Sequence, residues 1–128
     1  MGNYVCNRSK NIDLKMSNGG FTVFLTVLGL SGSILATTTK EKELILWLLE
    51  HDIEVRGLGC GGFDIEDIPW EYANYENEKY FLIKVIEGAK SKLGWDTLDY
   101  TPNEEIIFSN LDKFIELVSN YRPANAVC

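Results

Sequence analysis

The chain of 128 residues has only three cysteines and one histidine, and this scarcity limits the chemistry that it offers. Cys6, Cys60 and Cys128 are odd in number and widely spaced, and they form no C-x-x-C pair. A disulfide framework and a thiolate zinc site are therefore not expected, and a reducing, cytoplasmic compartment is the simplest interpretation. His51 is the last residue of a predicted helix and stands beside Asp52, where its charge, when protonated, would interact favourably with the negative end of the helix dipole.

Recognisable catalytic and metal-binding motifs are also lacking. No serine or cysteine stands in an elbow motif, and the acidic residues do not follow the spacing of a calcium loop. We therefore expect neither a cofactor nor a metal, and the sequence favours a protein that is not an enzyme.

Basic residues are in the minority. The chain has 12 lysines and arginines against 19 aspartates and glutamates, which gives a formal net charge of −7 and an isoelectric point near 4.7. Proteins that follow nucleic-acid phosphates need a basic face, so we expect no nucleic-acid partner. The same charge permits binding to a basic protein, although it is also common among soluble cytoplasmic proteins.

Uninterrupted apolar runs are short. Residues 21–36, FTVFLTVLGLSGSILA, form the most apolar stretch, but Gly29 and Gly32 interrupt it, and a spanning helix needs about 18 apolar residues. A secretory signal is an alternative interpretation, because basic residues precede the stretch. Its β-branched residues instead favour strands, and we expect no membrane association.

The first part of the chain predicts β-structure. After an N-terminal arm or edge strand at 1–10, alternating apolar residues and turn clusters predict an antiparallel meander of strands at 11–16, 21–28 and 33–37. A further strand is predicted around 53–58, where Ile53, Val55 and Leu58 are the apolar residues.

The second part of the chain predicts helices. Apolar residues at helical spacing favour a helix over 40–51, capped by Thr38 or Thr39, and two more over 76–93 and 102–120. The predicted architecture is α+β, an antiparallel sheet packed on one face by about three helices. We expect a single domain over 1–128, with a flexible N-terminal arm and a flexible tail at 123–128.

The glycine-rich stretch 57–62, GLGCGG, invites comparison with a dinucleotide-binding loop. A phosphate cradle must open into a helix, whereas here Asp64, Glu66 and Asp67 would stand near the phosphate and repel it. We therefore predict that these glycines provide positive φ angles or a close approach of two backbones. Cys60 is interpreted as structural, since the neighbouring acids would raise the pKa of its thiol.

Acidic and aromatic side chains concentrate in residues 63–80. In an extended segment Asp64 and Glu66 would share one face, either as a general acid/base pair or as an exposed acidic edge. Aromatic rings anchor protein interfaces and clustered carboxylates attract basic partners, although some of the rings would equally suit the core. The candidate partner-binding residues are Asp64, Glu66, Asp67, Trp70, Glu71, Tyr72, Tyr75, Glu76 and Glu78.

These patterns favour a non-enzymatic, acidic protein that binds a basic protein. The most concrete hypothesis is a bacterial immunity protein that neutralises a basic toxin, for example a nuclease. The alternative is a small-ligand or enzymatic site near Cys60, Asp64 and Glu66, with His51 as a further candidate. The oligomeric state stays open, since the wide apolar face of 44–49 is compatible with a homodimer.

Overall fold

A computed structural model describes residues 3–52, 61–71 and 73–123. Four helices and three strands lie in these ranges, together with short 3-10 turns at Arg8–Lys10, Ile65–Asp67 and Trp95–Thr97. In chain order the elements are β1 (Asn3–Asn7), β2 (Ile12–Met16), α1 (Asn18–Leu35), α2 (Thr39–Leu49), β3 (Gly62–Asp64), α3 (Tyr75–Lys90) and α4 (Glu104–Asn120). The predicted α+β class is confirmed.

The three strands form one mixed sheet in the order β2-β1-β3. β1 and β2 are antiparallel, with Val5 opposite Leu14, whereas β1 and β3 are parallel, with Val5 opposite Phe63. Parallel neighbours need a long crossover, and α1 and α2 lie on that connection.

The first ten residues were expected to form an arm or an edge strand. This expectation is wrong, because β1 is the central strand and buries Asn3 and Val5 completely.

The strands predicted at 21–28 and 33–37 are wrong, because residues 21–28 and 33–35 belong to the helix α1 and residues 36–37 follow its end. The Ser17 side chain caps this helix by accepting a hydrogen bond from the backbone N–H of Gly20. Buried side chains then recur at helical spacing, among them Phe21, Phe24 and Leu28. The helix packs against α2, α3 and α4. Burial on several sides outweighs the strand preference of its β-branched residues.

α1 is also long and apolar enough to cross a membrane, judged by length and composition alone. Within the fold, 44% of this 18-residue helix is buried. A core helix of a soluble protein and a signal sequence satisfy the same criterion, so length and composition do not separate these cases.

α1 and α2 pack closely against each other at Gly32. A Cβ atom at Gly32 would lie only 2.3 Å from Cδ1 of Ile45, so the helices approach through a position without a side chain. α2 begins with a capping box in which Thr38 accepts from the backbone N–H of Glu41, and Glu41 accepts from that of Thr38. The predicted helix over 40–51 is confirmed with shifted ends, and Thr38 is its cap.

The two later helices are confirmed as α3 and α4. Phe114 of α4 reaches the centre of the core, where its ring makes edge contacts with Phe24 of α1 and Phe63 of β3. The buried apolar side chains form one cluster that includes members of the sheet and of all four helices in the described ranges. The sheet and the helices therefore share this core.

Candidate partner-binding surface

The segment that carries the candidate residues begins at β3, which lies directly against β1. Gly62 has a φ of +120°, and a Cβ atom there would lie 2.2 Å from the carbonyl oxygen of Tyr4. Such a close approach of two backbones at positive φ is open to glycine alone. The predicted role of the glycines is confirmed at Gly62. The strand predicted at 53–58, the glycines before residue 61 and Cys60 lie outside the described residues.

Asp64 does not lie on an exposed edge. Its side chain is 2% exposed, and its Oδ2 accepts hydrogen bonds from Nε and from the backbone N–H of Arg8, at 2.8 and 3.2 Å. Its Oδ1 accepts a third from the backbone N–H of Glu66. Residues 65–67 form a 3-10 turn, so the expectation that Asp64 and Glu66 share one face of an extended segment is wrong.

The hydrogen bonds to Asp64 determine its protonation. Burial alone would raise the pKa of this carboxyl, but the hydrogen bonds and positive charge of Arg8 and the Glu66 N–H outweigh it and hold the pKa below its ordinary value. An ionised carboxylate with both oxygens engaged is suited to holding structure. It is poorly suited to donating a proton as a general acid.

The thiol of Cys6 lies near this carboxylate. Burial, followed by the negative charge of Asp64, raises its pKa above the ordinary value of 9.0. The thiol is therefore protonated at neutral pH, and a protonated thiol is a weak nucleophile.

Two of the candidate aromatic residues pack inwards. The indole of Trp70 donates from Nε1 to the carbonyl oxygen of Ile65, and its ring stacks on Tyr121 with centroids 5.2 Å apart. Tyr75 is buried at the start of α3. Tyr72 lies outside the described residues. Among the described residues of 63–80, Tyr80 is the large apolar side chain that is exposed to solvent, at 66%.

Four of the candidate carboxylates are exposed: Glu66, Asp67, Glu71 and Glu76. We call these four residues the acidic surface. Two of them have a cation nearby, since Nη2 of Arg8 lies 3.5 Å from Asp67 and Nζ of Lys40 lies 3.9 Å from Glu71. Exposed pairs of this kind are weak in water, so the carboxylates keep most of their capacity to attract a partner.

Glu78 has a different setting from the acidic surface. Its side chain is 6% exposed, and its Oε1 accepts a hydrogen bond of 2.6 Å from the backbone N–H of Glu71. Nζ of Lys40 lies 3.5 Å from Oε2 of Glu78 and donates a hydrogen bond to the carbonyl oxygen of Pro69. Lys40 and Glu78 thus attach the loop before α3 to α2 and α3.

Lys79 connects α3 to the end of α4. Its Nζ donates hydrogen bonds to the carbonyl oxygens of Ser119 and Tyr121 at the end of α4. Burial lowers the pKa of this ammonium, while the negative charge of Glu76 acts in the opposite direction.

Sequence reasoning missed the two cations that hold the candidate segment. Arg8 lies 56 positions before Asp64, and Lys40 lies 29 positions before Pro69. Neither stands in a local motif, so only the folded arrangement brings them to the segment.

His51 is engaged with the core. Its Nδ1 donates to the carbonyl oxygen of Trp47 over 2.7 Å, and its ring packs against Trp47 and Phe63.

A cavity of about 140 Å³ is lined by Glu66, but its other walls do not include His51 or Asp64. That cavity therefore does not gather the residues of the alternative site.

Searches of protein-family models, curated proteins and solved structures find no match to this chain. Within the described ranges, no group of three or more histidine, cysteine, aspartate or glutamate side chains could hold a metal ion.

Proposed function

We propose that this chain is a non-enzymatic, cytoplasmic binding protein for a basic protein partner. In its most concrete form it is a bacterial immunity protein that neutralises a basic toxin, such as a nuclease. The proposal is supported by one observation above all, namely the four exposed carboxylates of the acidic surface on a segment that the fold holds in place.

The attachment of that segment matters for binding. Arg8 holds Asp64 at its start, Tyr121 stacks on Trp70 in its middle, and Lys40 binds the carbonyl oxygen of Pro69. A surface fixed before binding loses less conformational entropy when the partner arrives. The carboxylates are therefore presented in a defined arrangement.

The charge of the whole chain supports the same partner class. A net charge of −7 attracts a basic protein over the Debye length, and the acidic surface concentrates that attraction in one segment. Carboxylates in this arrangement would occupy the cationic groups with which a nuclease toxin binds nucleic-acid phosphates. Tyr80, beside Lys84, offers an exposed ring for the contact.

The experiment begins with the tagged protein as bait in its native cell, followed by elution with salt and identification of the basic proteins released. Association rates with the captured partner are then measured at several salt concentrations. The double variant Glu71→Lys with Glu76→Lys should slow association about tenfold or more at low salt and reduce its salt dependence.

A matched control separates the surface from the net charge. Glu87→Lys with Glu116→Lys changes the net charge equally, at exposed positions on α3 and α4 outside the acidic surface. This control should retain most of the wild-type association rate. Equal rates for wild type and the acidic-surface variant, or equal losses in both variants, would contradict the proposal.

A further inference from the structure

We propose that a cavity between β2 and α4 binds a small monocarboxylic acid with a compact apolar body. The cavity has a volume of about 170 Å³. A cavity of about 150 Å³ accommodates a benzene-sized molecule, so the volume sets the size of the ligand. None of the four residues of the acidic surface lines this cavity, and the inference is therefore independent of the proposed function.

Three apolar side chains provide a place for the body of the ligand. Ile12 and Leu14 of β2 and Leu117 of α4 line the cavity. Leu14 and Leu117 also belong to the buried core, whereas Ile12 is 44% exposed. An apolar group that enters the cavity covers Ile12 and removes its own surface from water, and both effects favour binding.

The side chain of Asn7 supplies an amide without a partner. Asn7 is 3% exposed, and it lies opposite Ile12 in the β1–β2 pair, so the two side chains share one face of the sheet. Among the described residues, none forms a hydrogen bond with this side chain, although Asn7 lines the cavity. Its Oδ1 is fully enclosed, so a ligand in the cavity meets Nδ2, which is a donor. A ligand that accepts from Nδ2 gives this nearly buried amide its missing partner.

Two ammonium groups favour a ligand with a negative charge. Lys10 lines the cavity from the turn after β1, and Lys113 lines it from α4. Neither lysine forms an ion pair with a residue that the structure describes, whereas Arg8 and Lys40 do. A carboxylate has two oxygens, so it can accept from Nδ2 of Asn7 and from an ammonium together.

The acidic residues at the cavity do not cancel this charge. Glu116 lies one turn after Lys113 on α4 and contributes one carboxylate to the walls. Asp13 lies opposite Cys6 in the β1–β2 pair, so its side chain projects from the face of the sheet that Ile12 does not occupy. Two ammonium groups therefore stand against one carboxylate at the cavity, and an anion is favoured over a cation.

A set of matched probes separates the charge of the ligand from its shape. We would titrate the isotope-labelled protein with isocaproate and, in parallel, with isocaproamide, with isohexylamine, and with acetate, which has the charge but no apolar body. Isocaproate should cause saturable NMR shifts at the side-chain amide of Asn7 and at the methyl groups of Ile12 and Leu117. The other three probes should bind at least about tenfold more weakly, because each lacks either the carboxylate or the apolar body.

Charge variants assign the binding to the two lysines. Lys10→Gln with Lys113→Gln should weaken isocaproate binding about tenfold or more. The matched control is Lys15→Gln with Lys84→Gln, which changes the net charge equally at exposed positions outside the cavity walls. This control should bind isocaproate as tightly as the wild type.

A bulky substitution tests the cavity itself. Ile12→Trp should abolish the binding of isocaproate by filling the space, and Ile106→Trp, at an exposed position of α4 outside the walls, should have no effect. Both positions are partly open to solvent, so each variant is expected to fold. Absent shifts with isocaproate, equal binding of any other probe, or unchanged binding by the Lys10/Lys113 variant or by Ile12→Trp would each overturn the inference.

Discussion

Arg8 and Asp64 lie 56 positions apart in the chain, yet Nε of Arg8 donates a hydrogen bond of 2.8 Å to Oδ2 of Asp64. Arg8 immediately follows β1 and Asp64 ends β3, so the contact fastens the two parallel strands at their carboxyl ends. The same arginine reaches Asp67 in the next turn. It therefore holds the beginning of the candidate segment against the sheet.

The two aspartates that Arg8 contacts should differ in their effect on stability. Asp64 is 2% exposed and accepts three hydrogen bonds, whereas Asp67 is 61% exposed and lies 3.5 Å from the guanidinium. Asp64→Ala should lower the free energy of unfolding by about 2 kcal/mol or more, because it leaves donors without an acceptor. Asp67→Ala should cost less than about 1 kcal/mol. Urea unfolding at neutral pH checks both values, and equal losses would contradict this assignment.

Stability should depend on pH through Asp64. The folded pKa of this carboxyl lies below its ordinary value of 3.8, so the unfolded chain binds the proton more tightly. Its contribution is present above the unfolded pKa and is lost as the pH falls through the folded pKa. The difference in unfolding free energy between wild type and Asp64→Asn should therefore shrink below about pH 4. Urea titrations across this range measure it, and a difference independent of pH would count against the linkage.

Trp70 should contribute to stability more than to the exposed surface. Trp70→Ala removes both the stacking on Tyr121 and the hydrogen bond to Ile65, and it should cost about 2–3 kcal/mol for this half-buried ring. Trp70→Phe keeps a stacking ring and should cost about 1 kcal/mol for the lost hydrogen bond.

Tyr80→Ala is the matched control for Trp70, because Tyr80 is 66% exposed. It should change the free energy of unfolding by no more than about 0.5 kcal/mol. Thermal and urea unfolding followed by circular dichroism measure all three variants. A Trp70→Ala protein as stable as the wild type would show that the stacking does not hold the segment.

The later helices could be predicted from the sequence because their signals are local. Apolar residues at helical spacing on α3 and α4 each define one buried face, and a face of this kind determines a helix without knowledge of its neighbours. The start of α2 was predicted at Thr38 or Thr39, and the capping box that Thr38 forms with Glu41 decides for Thr38. The positive φ of Gly62 follows equally from a local glycine signal.

α1 could not be predicted in the same way. Its glycines and β-branched residues have the local preferences of strands and turns, and its apolar residues are not confined to one face. Packing against three other helices favours the helical form, and Gly32 allows the close approach of Ile45. These contacts involve residues that are distant in the chain, so the local sequence around α1 does not reveal them.

The sequence by itself determined the acidic net charge, the concentration of acids and rings in residues 63–80, and the α+β class. Only the tertiary structure decided which of those acids face solvent: it buries Asp64 beside Arg8 and Glu78 beside Lys40 and leaves the four carboxylates of the acidic surface exposed. The physical reason is that a charged side chain is buried only where distant residues supply hydrogen bonds and opposite charge. Such partners are fixed by the packing of the sheet and helices, and not by spacing along the chain.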